Sequence, residues 1–132
     1  MAFRVLIVDD NRPFLDAARV LLEREGLSVV GVVSTAAEAL RRAEELRPDV
    51  ALVDIMLAGE SGFELARRLA EQGGDSGPAV ILVSTHEEAD FEDLIAESPA
   101  TGFLPKSELS AGAIRRVLDG CSGSGATAGR ET

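Results

Sequence analysis

VLIVDDN, residues 5–11, decides the fold. Val5, Leu6, Ile7 and Val8 run without a polar break and then meet two acids and an asparagine. A run this short and this apolar reads as a strand buried on both faces and closed by a turn. Burial on both faces implies a parallel sheet with helices on each side.

The residues that follow keep the pattern. Over residues 12–25, Leu15, Ala18, Val20, Leu21 and Leu22 fall at helical spacing, against polar Arg19, Glu23 and Arg24. Pro13 suits the first turn of that helix, and Gly26 suits its stop. Residues 27–33 read as a second strand. Ser34 is the expected cap of a helix over 35–47, which Pro48 ends. Residues 50–53 form a third apolar run that finishes at Asp54. A loop to about Gly59 leads to a helix near 62–72, and the Gly- and Ser-rich stretch 73–78 reads as a loop. Residues 79–83 form strand four, ending at Ser84 and Thr85. A helix is expected near 88–97, broken at Pro99. Strand five, 102–104, ends just before Lys106, and a last helix is expected over 107–119 with Ser107 as its cap.

Five strand-then-helix units predict an α/β domain: a (βα)5 doubly wound parallel sheet, flavodoxin-like, of order 2-1-3-4-5, with right-handed crossovers. The expected layout is one domain over residues 1–119. Residues 120–132 are rich in Gly, Ser, Ala and Thr and read as a flexible tail.

Composition narrows the function. The chain has 132 residues and a net charge of -10, which opposes nucleic-acid binding and docking on an anionic membrane. Cys121 is the single cysteine, so no internal disulfide can form, and a reducing compartment, the cytoplasm, is expected. There is no signal-peptide pattern and no apolar stretch of membrane-spanning length.

Parallel strands bring their carboxyl ends to one edge of the sheet, where ligands bind in such folds. Four of the five ends carry chemistry: Asp9 and Asp10, Asp54, Ser84 with Thr85, and Lys106. Three converging carboxylates repel one another unless one is protonated or a cation sits among them. Oxygen ligands favour a hard cation, and Mg2+ suits a shallow site that also takes phosphate oxygens. A carboxylate so neutralised can act as a nucleophile toward a phosphoryl group, and Ser84 could then bond a phosphoryl oxygen. Lys106 is the only lysine; the other twelve basic residues are all arginine. A compact ammonium fits a small phosphoryl–metal cluster better than a planar guanidinium.

With VLIVDDN, VALVDIMLAGESGFEL, ILVST and GFLPKSEL in place, the chain resembles the receiver domain of two-component response regulators over nearly all of residues 3–119. The Lys-Ser pair at 106–107 resembles receivers usually joined to a helix-turn-helix output domain. The resemblance implies that Asp54 takes a phosphoryl group from a histidine kinase or phosphotransfer protein. It implies that Asp10 binds Mg2+ directly, Asp9 partly through water, and the backbone carbonyl of Met56 as the third protein ligand. Ser84 and Lys106 would contact the phosphoryl group, and Phe103 would be the aromatic that moves inward on activation, with Ser84 also part of the switch. It further implies a domain that is no enzyme beyond its own phosphoryl transfer and dephosphorylation.

The same likeness implies that the first helix, with Phe14, Leu15 and Ala18 near the site, docks the kinase. The face built from the fourth helix, fifth strand and last helix would carry the output to an unknown protein, and could form a homodimer contact; Arg115 and Arg116 read most simply as a solvated helix face, with a part in that contact as the alternative. No segment reads as an output domain. The start at Met1 and the flexible end favour a stand-alone receiver over one cut from a longer regulator. Departures from the family pattern are Ala58, Ser61 and Ser107 where Pro, Asp and Pro are frequent. Three other functions compete: a pseudo-receiver that binds without phosphorylation, more weakly a flavodoxin-like FMN carrier, and an aspartyl-phosphate phosphohydrolase. The latter would place its two acids two residues apart after the first strand, whereas Asp9 and Asp10 are adjacent.

Overall fold

The computed structural model describes residues 3–57, 60–73, 77–84, 93 and 97–124. Five strands form one sheet: β1 (Arg4–Val8), β2 (Ser28–Val33), β3 (Val50–Asp54), β4 (Ala79–Ser84) and β5 (Gly102–Pro105). Their spatial order is β2-β1-β3-β4-β5, and every neighbouring pair is parallel. This is the expected 2-1-3-4-5 order. A two-residue antiparallel ribbon, Met56–Leu57 against Glu60–Ser61, follows β3.

Alternation along the strands divides the core in two. Leu6 and Val8, Ala51 and Val53, Val80 and Leu82, and Phe103 point to one face. They pack there against α2 (Ala36–Leu46) and α3 (Gly62–Gly73). Val5 and Ile7, Val50 and Leu52, Ile81 and Val83, and Leu104 point to the other, against α1 (Arg12–Arg24) and the last helix (Ala111–Ser124). Each central strand is therefore apolar between its ends because both of its faces are covered.

Local chemistry sets the helix ends. Asn11 caps α1, its side chain accepting from the Phe14 N–H, and Pro13 lies in the first turn. Gly26, at φ 98°, ends the turn after α1 in a conformation that suits a residue without Cβ. Two caps differ from expectation. Thr35, not Ser34, caps α2, because its Oγ1 reaches the Glu38 N–H at 3.2 Å. Ser110, not Ser107, caps the last helix, its Oγ accepting from the Ala113 N–H at 2.9 Å. Residues Lys106–Glu108 form a separate 3-10 turn, which delays the helix start to Ala111. That helix continues to Ser124, past Gly120, where the sequence reading begins the tail; once nucleated, helical hydrogen bonding extends readily. Residues 125–132, Ala58, Gly59, Thr85 and most of the expected fourth helix lie outside the described residues. Among the described residues, no helix is long and apolar enough to cross a membrane.

Candidate functional site

The carboxyl ends of β1, β3, β4 and β5 bring the expected residues together. Asp9 follows β1 and is fully buried, Asp10 beside it is exposed, and Asp54 ends β3 at 6% exposure. One carboxylate oxygen from each of the three lies within 4.8 Å of the others. Lys106, just past β5, places Nζ 2.6 Å from Asp9 Oδ2 and 3.6 Å from Asp54 Oδ2. Ser84 closes β4, is 2% exposed, and sits opposite Pro105 in the β4–β5 register. The sheet thus lines up an acid trio, a hydroxyl and an ammonium along one edge.

Backbone amides orient the two buried acids. The Asn11 N–H donates to Asp9 Oδ1 at 2.8 Å, and the Met56 N–H donates to Asp54 Oδ1 at 3.2 Å. The outer oxygens, Asp9 Oδ2 and Asp54 Oδ2, are left facing the shared space. Asp9 Oδ2 is buried and makes no well-aligned hydrogen bond; the Lys106 ammonium is its close polar neighbour. Three carboxylates against one ammonium leave the cluster short of positive charge. The all-oxygen donor set and its excess of negative charge fit a hard divalent cation.

Asp54 registers its burial above all, and this imbalance less. Burial is the largest cause that raises its pKa from the ordinary 3.8 to about 6. The Met56 amide opposes that rise, Asp9 adds to it, Lys106 opposes it, and Asp10 adds to it. At neutral pH the ionised form of the carboxylate still predominates.

The loop after Asp54 is tightly built. The Gly62 N–H donates to the Ile55 carbonyl at 3.0 Å. A Cβ on Gly62 would collide with the Asp54 carbonyl oxygen and the Ile55 Cα, so only glycine allows this approach. The Met56 side chain is exposed, and its backbone pairs with Ser61 in the ribbon. Phe103 lies inward, 8% exposed, in the cluster on the α2–α3 face.

Three contacts escape a reading of the sequence. The Glu60 carboxylate accepts from the Ala36 N–H at 3.0 Å, tying the ribbon to the start of α2. The Glu25 carboxylate accepts from the Ala111 N–H at 2.6 Å, tying the end of α1 to the last helix. The Phe14 ring centroid lies 4.4 Å from Lys106 Nζ. No local spacing signals any of them, because each joins elements brought together only by the fold.

Comparison with known proteins agrees with this geometry. Residues 5–118 match the family model described as response regulator receiver domain. The response regulator GacA of Pseudomonas viridiflava is 36% identical over 104 residues, which are 78% of this chain and 48% of that protein. The chain thus spans about half the length of the curated relatives it matches. Among solved structures, the signal receiver domain of the response regulator NarL from Mycobacterium tuberculosis is 30% identical. It superposes with a TM-score of 0.75 over 92% of this chain and 98% of that one. A LuxR-family two-component response regulator from Aurantimonas sp. SI85-9A1 superposes with a TM-score of 0.80 at 27% identity, over 93% of this chain and 87% of that one.

Proposed function

The chain belongs to the response regulator receiver domain family, and on that basis we propose that it is a phosphoacceptor switched by phosphorylation of Asp54. The single observation that carries the reading is the convergence of Asp9, Asp10, Asp54 and Lys106 at one sheet edge, with Asp9 Oδ2 buried against the ammonium. The donor is a phosphohistidine of a histidine kinase or phosphotransfer protein. Asp54 Oδ2, the oxygen not engaged by the Met56 amide, attacks phosphorus. The new O–P bond forms as the N–P bond to the imidazole breaks, and the departing imidazole takes up a proton.

Asp10, Asp9, Asp54 and the Met56 carbonyl would hold Mg2+, with Asp9 partly through water. The ion would supply charge neutralisation between the carboxylates and the phosphoryl oxygens. Lys106 contributes a second positive charge on the Asp9–Asp54 side, and the Ser84 hydroxyl donates to a phosphoryl oxygen. The backbone amides on Asp9 Oδ1 and Asp54 Oδ1 fix both carboxylates in advance. Ser84 and Phe103 relay the phosphorylated state to a partner protein through β4 and β5. Family membership supports a signalling role without an enzymatic turnover of its own, and a cytoplasmic site of action.

Phosphoramidate, whose N–P bond resembles that of phosphohistidine, provides the test. One phosphoryl group should be taken up in the presence of Mg2+ and none in its absence. Failure to bind Mg2+ or to take up phosphoryl would favour a binding module of the same fold. Continuous hydrolysis of a phosphate ester would favour a phosphohydrolase.

A further inference from the structure

The contacts around Asp9 form a closed circuit. Asp9 Oδ1 accepts from the Asn11 N–H, and the Asn11 side-chain oxygen accepts from the Phe14 N–H at 3.2 Å. The Phe14 ring lies 4.4 Å from Lys106 Nζ, and Lys106 Nζ returns to Asp9 Oδ2 at 2.6 Å. Both oxygens of one buried acid are therefore joined through a helix cap, an aromatic ring and the ammonium. The Lys106 side chain is only 13% exposed, with carboxylates and an aromatic ring as its neighbours.

We propose that Phe14 is a positioning residue for Lys106: its ring, aimed by the Asn11 cap, holds the ammonium over the Asp9–Asp54 space and limits its access to water. A lysine stem has several rotatable bonds, and without the ring more of its rotamers reach solvent. A phenyl face within about 6 Å of an ammonium attracts it electrostatically, and the attraction grows as water is excluded. Leucine at position 14 keeps most of the apolar packing of α1 against the core but lacks the quadrupole. The inference that this placement serves phosphoryl transfer rests on the function proposed above; the placement itself does not.

Lys106 is the only lysine in the chain, so protein made with 13C-lysine gives a single CεH2 signal that reports this one side chain. In the wild type that signal should be shifted upfield by the ring current. In Phe14→Leu it should return toward the position of an exposed lysine, and in Phe14→Trp it should stay upfield. Uptake from acetyl phosphate with Mg2+ should slow about two- to fivefold in Phe14→Leu, the effect expected of one partly exposed cation–π contact, and should be restored in Phe14→Trp. A small donor is used so that loss of a kinase-docking residue cannot produce the slowing. A wild-type signal without ring-current shift overturns the contact. A Phe14→Leu protein that loses the shift but takes up phosphoryl at the wild-type rate overturns the positioning role. If the wild type takes up none, the proposed function fails, while the CεH2 signal still decides the contact.

Discussion

Replacing Asp54 with asparagine should make the metal-free protein more stable at neutral pH. The folded chain raises the Asp54 pKa from 3.8 to about 6, chiefly through burial. A folded-state pKa above the unfolded one means that folding favours the protonated acid. The stabilising contribution is then full below the unfolded pKa and is lost as pH rises through about 6. The difference between 3.8 and about 6 sets a ceiling of about 3 kcal/mol on the cost of the ionised group. Asparagine is neutral and keeps an oxygen for the Met56 amide, while Lys106 keeps Asp9. We expect Asp54→Asn to gain about 1–3 kcal/mol at pH 7.5, or roughly 3–10 °C in Tm for a domain of this size. At pH 4 most of the gain should be gone, because the folded acid is protonated and the unfolded one is near its own pKa of 3.8. Mg2+ should raise the wild-type Tm at pH 7.5 and leave the variant nearly unmoved, since only the wild type offers three acids to the ion. Thermal unfolding at both pH values, with and without Mg2+, is the assay. An equal gain at pH 4 and pH 7.5, or none at either, would refute the electrostatic reasoning.

Other perturbations probe the frame around the site. Gly62→Ala drives a Cβ into the Asp54 carbonyl and the Ile55 Cα, and should cost about 2–4 kcal/mol by urea unfolding while also weakening Mg2+ binding. Glu25→Ala removes the acceptor for the Ala111 N–H and should lower stability by about 1 kcal/mol; Glu25→Gln should recover most of it. Lys106→Met leaves the buried Asp9 carboxylate without its ammonium, and should destabilise the metal-free protein by about 1–3 kcal/mol at pH 7, with Mg2+ restoring much of the loss.

Sequence reading reaches far in this chain because the fold is written in short periodic runs. Val5 to Val8, Val50 to Val53 and Val80 to Val83 are apolar throughout, and that continuity alone implied a sheet covered on both faces. Parallel order then gathered Asp9, Asp54, Ser84 and Lys106 at one edge, where the structure has them. Helix ends were less legible. Ser34 and Thr35 are chemically equivalent caps, and only backbone geometry decides between them. The same holds for Ser107 and Ser110, which are separated by a 3-10 turn that no spacing announces. The Glu60, Glu25 and Phe14 contacts join residues 24, 86 and 92 positions from their partners. Contacts at that range are fixed by packing, and the chain on its own carries no sign of them.

The most direct test of the central claim is the intact mass after incubation with acetyl phosphate and Mg2+. The account predicts one added phosphoryl group on the wild type, mapped to Asp54 among the peptides, and none on Asp54→Asn or without Mg2+. An unmodified wild type, or an Asp54→Asn protein modified to the same extent, would contradict it.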